Sequence, residues 1–498
     1  MLLAPVMTDA RYHYMNAIGD RWNIFQILNW AFVDDVPWRL RSGRFAPVGS
    51  LVQRIFYDAG ARLSMATGLE TYQAEAVIKV LLIASLIGFF AWLMRLIRTR
   101  SGHPLSSLTR WRAVVLFAVI LCLGVQATDP VRNGWTAFVV LCIGGVSLLL
   151  LSGVAGVTAL TAWPRASRGR RILIGFLLAL LGAATVLSYE AHWAAAPFFV
   201  ILVLFVGRPA DLIDAGWRDR TRWAVVASYV AGFVPALIAT RILIAVYAVP
   251  DAYAGLTSNP GGPVIGTSGW QVASALPGAG IEGVQAAAAQ AQVQAFSPGS
   301  SWWVAALVIV ALAACWWAPV PGSTPTTSRE ARALVPLALA ALASLVAVAF
   351  VLSVSVQAQQ MITGPDRPYR GTPWIWTCLA IIITVVGVYV LRRRAGAAIV
   401  FAAVAVAIVA QVWWVRPANL TATEVVRADP AYALYEEVGR AVVLGPEGVD
   451  EATRCDLARR ADTPLGNYGR VLRARFFGAY TIEWGAPMCP DRPVWRNP

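Results

Sequence analysis

Ten long apolar segments fill most of this chain, and they restrict the folds that are open to it. A helix of about 20 apolar residues crosses the roughly 30 Å hydrocarbon core of a bilayer. Hydrophobic residues make up 58% of the chain and charged residues 14%, which is typical of a membrane protein and excludes a disordered one. The predicted spans lie near 76–95, 113–128, 137–153, 172–187, 194–208, 223–247, 301–320, 334–355, 375–391 and 398–415. The sequence therefore predicts an all-α polytopic membrane protein with about ten transmembrane helices.

The arginines between these segments fall almost entirely on alternate loops. Eighteen lie in one set of loops: Arg95, Arg98, Arg100, Arg110, Arg112, Arg165, Arg168, Arg170, Arg171, Arg208, Arg218, Arg220, Arg222, Arg329, Arg332, Arg392, Arg393 and Arg394. The short loops of the other set carry three: Arg132, Arg367 and Arg370. Because basic residues are enriched in cytoplasmic loops, the second set is predicted to face the outside. The outer segments are then 1–75, 129–136, 188–193, 248–300, 356–374 and 416–498.

The formal net charge of +14 follows from this topology, since the excess arginine lies in cytoplasmic loops. We therefore expect no nucleic-acid partner. Lys79 is the only lysine, and arginine and alanine are abundant, which indicates a GC-rich bacterial genome and a place in the bacterial cytoplasmic membrane. The sequence contains no Walker loop and no dinucleotide fingerprint, so it does not indicate a nucleotide-driven pump.

Two predicted outer regions flank the transmembrane domain 76–415. The first outer segment, 1–75, contains two predicted juxtamembrane helices, near 16–32 and 48–67. The segment begins with Met1–Met7, an apolar stub that is too short to cross a bilayer. We interpret the stub as the end of a truncated first span, which would bring the number of spans to eleven.

The tail 416–498 is predicted to be a small extracytoplasmic domain of α/β type. It contains Cys455 and Cys489, which we predict to form a disulfide because oxidation is permitted outside the cytoplasm. A third outer region, 248–300, is rich in glycine, proline, alanine and glutamine. That composition predicts a flap over the outer mouth of the bundle.

Acidic residues occur at the predicted outer ends of the spans. Asp9 follows the apolar stub, and the pair Asp34 and Asp35 lies in the same outer segment. Asp129 opens a short loop, and Glu190 lies in a loop so tight that its carboxylate must stay at the mouth of the bundle. Because ionisable groups near membrane depth are costly unless they are paired or functional, we predict that these acids surround one cavity.

Basic side chains are available on the same side. They are Arg44, Arg132, Arg367 and Arg370 in the outer segments, and Lys79 and Arg241 near the outer ends of spans. The planar guanidinium group of arginine suits bidentate binding of phosphate or pyrophosphate. Arg241 lies deeper, which favours a cavity or ion-pair role, whereas Lys79 either binds substrate or extends to the membrane interface.

Carboxylates that face arginines at a membrane boundary suit a lipid-linked anionic substrate. A carboxylate would take the proton of an acceptor hydroxyl, and arginines would hold the phosphate leaving group. A sugar on a polyprenyl-phosphate carrier meets this requirement. A reaction outside the cytoplasm would also need no nucleotide site.

The layout resembles the GT-C superfamily of integral membrane glycosyltransferases. Its members carry an acidic residue directly after the first span, then a long outer loop with two juxtamembrane helices, and here the stub, Asp9 and segment 1–75 fit that plan. Many members carry a second acid after the third span, where this chain has Asp129. The run Gly43-Arg44-Phe45-Ala46-Pro47 is similar to a Gly-Arg-Phe-x-Pro pattern of bacterial surface-polysaccharide membrane proteins.

The resemblance implies a transferase that moves a sugar from a polyprenyl-phosphate carrier to a glycan or lipid acceptor. Asp9 would be the general base, with Asp35 and Asp129 orienting the acceptor or a divalent cation. The predicted catalytic residues are Asp9, Asp35 and Glu190. The predicted substrate-binding residues are Asp34, Arg44, Lys79, Asp129, Arg132, His192, Arg241, Arg367 and Arg370, of which Arg367 and Arg370 would bind the carrier phosphate and His192 would line the acceptor side.

Other functions are compatible with the same sequence. A polysaccharide polymerase or ligase that uses a lipid-pyrophosphate glycan would also need outer-loop arginines. A lipid-linked glycan flippase or transporter would normally show polar or glycine-broken spans near the midplane, whereas these spans are apolar at their centres. A non-enzymatic scaffold of the cell envelope is a further alternative.

Overall fold

A computed structural model describes most of the chain and consists of helices. The described residues are 8–20, 22–99, 102–126, 128, 133–136, 139–207, 219–249, 259–297, 302–318, 326–364, 367, 369–393, 395–461 and 466–491, with only the backbone described for 8–12 and 466–474. Helices make up 81% of the structure, and no strand occurs within the described ranges. The predicted all-α fold is therefore confirmed for this part of the chain.

Four helices precede the membrane bundle. They are α1 (Thr8–Asp20), α2 (Ile24–Asn29), α3 (Asp35–Arg41) and α4 (Pro47–Thr67), with a π-helical turn, Trp30–Asp34, between α2 and α3. Helix α4 matches the helix predicted near 48–67. The helix predicted near 16–32 is divided in two, because Asn23 and Gln26 form a reciprocal capping box that starts α2.

The central bundle follows. Its first helices are α5 (Thr71–Leu96), α6 (Ser107–Leu123), α7 (Val139–Ala162), α8 (Arg168–Ser188), α9 (Ala195–Phe205) and α10 (Arg220–Tyr247). The next are α11 (Val264–Ser274), α12 (Ile281–Gln290), α13 (Trp302–Trp316), α14 (Ser328–Ala333), α15 (Val335–Ser353), α16 (Val356–Met361), α17 (Thr372–Leu391) and α18 (Gly396–Ala410). Each of the ten predicted spans coincides with one of these helices or with a joined pair.

Seven helical stretches among the described residues are long and apolar enough to cross a membrane, which indicates a membrane protein. They are Thr71–Leu96, Val139–Arg165, Arg168–Ser188, Arg220–Tyr247, Ser328–Ser353, Thr372–Leu391 and Gly396–Arg427. The other three predicted spans correspond to shorter helices, since α6 has 17 residues, α9 has 11 and α13 has 15. The count of ten spans stays a prediction.

The ends of the bundle helices meet on two sides. On one side, the Val249 amide donates to the Arg41 carbonyl (3.0 Å) and the Gly134 amide to the Tyr369 carbonyl (3.3 Å). We call this the pocket side. On the far side, the Trp111 indole donates to the Cys315 carbonyl at 2.8 Å.

The described part of the predicted flap, residues 259–297, consists mainly of α11 and α12. Helix α11 packs against α15, and α12 packs against α19 (Arg416–Arg427). The Phe296 amide also donates to the Thr421 hydroxyl at 3.0 Å. This region therefore lies on the pocket side and is joined to the bundle by helix packing.

The described part of the C-terminal tail is helical, so the predicted α/β structure is not confirmed. It contains α19, α20 (Pro430–Gly448), α21 (Glu451–Arg460) and α22 (Gly466–Trp484). In α22, Phe476 and Tyr480 are buried at a helical spacing of four residues. The predicted disulfide is present, with Cys455 and Cys489 joined at a Cα–Cα distance of 4.8 Å. Helix α22 packs on α1, and thereby joins the tail to the first helix.

Two adjacent glycines of α7 differ in what surrounds them, and this difference allows a test of the packing. A Cβ atom on Gly145 would lie 1.8 Å from Nε2 of His192, whereas one on Gly144 would meet only a Leu82 methyl at 3.9 Å. We expect Gly145→Ala to lower the free energy of unfolding by about 1–3 kcal/mol through overpacking. Gly144→Ala, the matched control, should be neutral or slightly stabilising. Denaturant unfolding of the purified protein measures both, and equal stability of the two variants would contradict the packing.

Candidate functional site

Two adjoining cavities lie on the pocket side. A narrow recess of about 40 Å³ and a wider cavity of about 380 Å³ share Ala46 and Tyr189 as lining residues. The recess is bordered by α1, α3, α4, α7 and Arg370, which lies two residues before α17, and the wider cavity is bordered by the ends of α8 and α10. Segments that are far apart in the sequence therefore meet at Tyr189.

Arg44 reaches this junction because of the turn before it. Gly43 has a positive φ of 76°, a conformation that favours glycine, and the Arg44 amide donates back to the Arg39 carbonyl at 2.8 Å. Pro47 then starts α4, where the missing amide proton of proline costs no helical hydrogen bond. The Gly-Arg-Phe-Ala-Pro run is thus a tight connection between α3 and α4 that presents Arg44 to the pocket.

Tyr189 and Glu190 lie at the break between α8 and the 3₁₀ turn Glu190–Ala194. Tyr189 is extended, with φ −172° and ψ 151°, and this separates the two helical segments. Its ring faces the Arg44 guanidinium at 5.9 Å, and Arg44 Nε lies 4.0 Å from Glu190 Oε1. Burial raises the pKa of Tyr189 above its usual range, an effect that the nearby Arg370 and Arg44 oppose. Tyr189 therefore stays protonated and can donate a hydrogen bond.

Arg370 enters the recess from the start of α17. A Cβ on Gly134 would lie 2.4 Å from the Arg370 carbonyl, so the loop before α7 and the loop before α17 can approach this closely only because residue 134 is glycine. Helix α17 begins two residues later, at Thr372. The Arg370 side chain borders the recess, where its guanidinium favours an anion.

Asp35 supports the wall of the recess through two hydrogen bonds. Its carboxylate accepts from Arg39 Nε at 2.8 Å and from the Ser50 hydroxyl at 2.7 Å. Arg39 and Ser50 both line the recess. Both donors bind Oδ2 of Asp35, so this one oxygen connects α3 to the first turn of α4 and holds Arg39 in place.

His13 of α1 also lines the recess. Its ring stacks on Tyr57 of α4 at 5.2 Å. The pKa of His13 is lowered to about 3 by burial, and then by the positive charges of Arg39 and Arg54. The imidazole is therefore neutral at physiological pH.

His192 holds the Tyr189–Glu190 segment against the bundle. Its Nε2 donates to the Leu141 carbonyl at 2.8 Å, and its ring stacks on Trp374 of α17 at 5.6 Å. The ring is buried and borders neither cavity. Although it was predicted to line the acceptor side, His192 lies in the wall beneath Tyr189.

The remaining predicted residues lie at varied distances from the junction. Arg241 borders the wider cavity together with Glu190. Arg367 is exposed, and Asp34 is exposed and accepts from the Asn29 side-chain amide at 3.0 Å. Neither Arg367 nor Asp34 is among the described residues that line the recess or the wider cavity.

Lys79 is fully buried and pairs with Glu75 at 3.1 Å, so its predicted extension to the membrane interface is wrong. The side chain instead lies in the core, where burial of one charge requires a partner of the opposite charge. Asp129 and Arg132, and the side chain of Asp9, lie outside the described residues.

Sequence reasoning did not select Arg39, Ser50 or Tyr189 as site residues. The spacing of four between Asp35 and Arg39 on a helix is a signal that could have identified their pairing. Tyr189 precedes a predicted catalytic residue, but nothing in its own sequence context indicates that two arginines face it. Ser50 carries no signal, because its role depends on how α4 packs beside α3.

A divalent cation was considered from the sequence. Within the described ranges, no group of three or more histidine, cysteine, aspartate or glutamate side chains is arranged to hold a metal ion. Among the described residues that line the recess and the wider cavity, Glu190 supplies the carboxylate, and the guanidinium groups come from Arg39, Arg44, Arg241 and Arg370.

The fold and the pocket define a helical membrane protein with a cationic recess at the ends of its helices. No family model matches the chain, and neither a curated protein nor a solved structure matches it.

The lowered pKa of His13 makes stability depend on pH. The folded pKa of about 3 lies below the ordinary value of 6.5, so the unfolded chain binds a proton that the folded chain does not bind between these values. Above pH 6.5 the titration of His13 does not lower the free energy of unfolding. Between pH 6.5 and pH 3 it lowers this free energy by up to about 1.4 kcal/mol for each pH unit of acidification. We expect His13→Gln to lose less stability than the native protein between pH 7 and pH 4 in thermal unfolding.

His103→Gln is the matched control for this comparison, since His103 is exposed. Its pH dependence should equal that of the native protein. A His13→Gln variant that loses as much stability as the native protein on acidification would contradict the assignment.

Proposed function

We propose that this protein is a membrane glycosyltransferase that moves a sugar from a polyprenyl-phosphate carrier to a glycan or lipid acceptor. The observation that carries the proposal is the convergence of Arg44, Arg370 and Glu190 around Tyr189. Guanidinium groups bind phosphate bidentately, and a nearby carboxylate can accept a proton. Their position at the ends of apolar helices suits a substrate whose hydrocarbon part remains in the membrane.

The recess supports binding of the carrier phosphate. Arg39, Arg44 and Arg370 border it, and Tyr189 can donate its hydroxyl proton as a hydrogen bond. The first turn of α4 also contributes Gly49 and Ser50 to its wall, so the N-terminal end of this helix would approach the phosphate. The donor sugar would then extend into the wider cavity beside Glu190.

Transfer in this arrangement needs one proton acceptor and one stabilised leaving group. The carboxylate removes the proton of the acceptor hydroxyl as the hydroxyl oxygen bonds to the anomeric carbon. The bond between that carbon and the phosphate oxygen breaks, and its electron pair leaves with polyprenyl phosphate. Arg44 and Arg370 stabilise the charge that develops on the phosphate oxygen.

Among the described carboxylates, Glu190 is the better base. Its side chain is 24% exposed, borders the wider cavity and has Arg241 across from it, whereas Asp35 is engaged by Arg39 and Ser50. Asp9 remains the alternative base that the resemblance implies. On this proposal Asp35 is a positioning residue, since it acts on the phosphate through Arg39.

The proposal is tested by transfer of labelled sugar from a panel of polyprenyl-phosphate donors to membrane glycan by the purified protein. We expect Glu190→Gln to lower the transfer rate by about 10²–10⁴-fold, because the general base is lost. The matched control is Glu282→Gln, at an exposed position in the first turn of α12, and it should retain the native rate.

Asp9→Asn is measured beside these variants. Loss of transfer in Asp9→Asn with full activity in Glu190→Gln would keep the transferase and reassign its base. Transfer only from lipid-pyrophosphate donors would favour a polymerase or ligase. If the purified native protein is folded but transfers sugar from none of the donors, the proposed function is contradicted.

A further inference from the structure

Two neighbouring residues of α10 line the wider cavity but have no part in the transfer step. They are Thr240 and Arg241. The lining along α10 consists of Thr240, Arg241, Ile244, Ala245 and Ala248, which share one face of the helix. An adjacent face carries the lipid-facing side chains Ile238, Ile242 and Val246, which are 54–66% exposed. Arg241 therefore lies on the cavity face of α10 and not on its lipid face.

Glycine packing determines where the wider cavity begins. A Cβ on Gly182 of α8 would lie 2.2 Å from the Tyr229 carbonyl, and one on Gly232 of α10 would lie 1.8 Å from the Ala179 carbonyl. The two helices are thus in backbone contact along this stretch. One turn after Gly182, at Val186, the lining of the cavity begins. The cavity therefore occupies the pocket-side ends of α8 and α10.

The Arg241 guanidinium is placed to bind an anion. Arg241 lies six residues before Tyr247, the last residue of α10, which is about 9 Å along the helix axis. A charge at this depth of a membrane-spanning helix is costly unless it is paired or functional. Among the described residues no carboxylate lies within 4.0 Å of Arg241, and Glu190 of the same cavity has Arg44 as its partner at 4.0 Å.

Thr240 adds a second polar group without a partner. Its side chain is buried, at 2% exposure, and its hydroxyl makes no hydrogen bond to any described residue. Other hydroxyls of α8 and α10 donate to the carbonyl four residues earlier, as Thr185 does at 2.8 Å and Ser228 at 2.7 Å. Leaving such a group unpaired costs about 1–3 kcal/mol. A ligand hydroxyl in the cavity would supply the missing partner.

The other lining residues suit a sugar ring. Trp193 borders the cavity, and its indole donates to the Val186 carbonyl at 3.4 Å, which fixes the ring in the wall. An aromatic wall with a few polar groups is typical of sites that orient small molecules. A carboxylate matches one guanidinium bidentately. A phosphate monoester carries almost two negative charges, so Glu190 would repel it more strongly than a carboxylate.

We propose that Thr240 and Arg241 form a recognition subsite for an acidic sugar. Arg241 binds the carboxylate of a hexuronate, and Thr240 forms a hydrogen bond with a hydroxyl of the same ring. This inference rests on the proposed function for the position of the sugar, and it adds the charge of that sugar. Both residues determine specificity, since a neutral hexose leaves the Arg241 guanidinium without its anion.

Ligand-observed NMR of the purified full-length protein in detergent tests the subsite. The probes are the methyl glycosides of glucuronate, galacturonate and mannuronate, each measured beside its neutral hexose. We expect the native protein to bind at least one uronide about tenfold or more tightly than the matching hexose, because an ionic hydrogen bond is gained. Arg241→Gln should abolish this preference. Arg220→Gln, at the exposed first residue of the same helix, should retain it.

Thr240→Val separates recognition from a structural role. It should weaken uronide binding, because the ring loses a hydrogen bond. It should also keep or raise the unfolding temperature, because an unpaired buried hydroxyl is replaced by a methyl group of the same shape. Unchanged uronide binding by Thr240→Val would overturn the role of Thr240.

Two results would overturn the acidic-sugar assignment. One is equal binding of uronides and hexoses by the native protein, or binding of neither. The other is displacement of the uronide by an equal concentration of phosphatidylglycerol, which would assign Arg241 to a lipid phosphate.

Failure of this inference is distinguishable from failure of the proposed function. Efficient transfer of neutral sugars with no uronide binding would keep the transferase and overturn the subsite. Uronide binding that depends on Arg241, with no transfer from any donor, acidic donors included, would keep the subsite and contradict the transferase.

Discussion

The insertion of His192 between α7 and α17 is the contact on which the pocket depends. Because residue 145 is glycine, the His192 imidazole fits beside the Leu141 carbonyl, one helical turn before Gly145. This carbonyl accepts a hydrogen bond from Nε2 of the imidazole. Stacking of the ring on Trp374 fixes α17 relative to the 3₁₀ turn that follows Tyr189. Because Arg370 precedes α17 and Glu190 starts that turn, one buried side chain sets the distance between the cationic and acidic parts of the pocket.

Electrostatics then decides what such a pocket can bind. Three arginines border a narrow recess, and one of them, Arg39, donates a hydrogen bond from its guanidinium to Asp35. The N-terminal end of α4 approaches the same volume, which adds partial positive charge without adding a side chain. Glu190 lies at the edge of this field, where it can act on an acceptor while the arginines attract an anion. This separation of charge is the physical basis of the proposed transfer from a phosphate carrier.

Hydropathy predicted much of the fold, since a run of apolar residues long enough to cross a bilayer predicts helices such as α7, α15 and α17. The disulfide was also predictable, because both cysteines lie in the same tail. The site was predicted only in part. Arg44, Glu190, Arg241 and Arg370 border the cavities, but nothing in their spacing shows that they meet, because their approach depends on contacts at Gly134 and Gly145. His192 and Lys79 were chosen by their place in the topology, and both are buried by packing that a single sequence does not reveal.

The most direct test of this account is an electron cryomicroscopy structure of the full-length protein with a polyprenyl phosphate bound. The account predicts phosphate density in the recess, within hydrogen-bond reach of the Arg44 and Arg370 guanidinium groups and of the Tyr189 hydroxyl. The sugar-proximal side of the phosphate should face Glu190. A map in which the phosphate binds away from these residues, while the recess around Tyr189 keeps the geometry described above, would contradict the central claim.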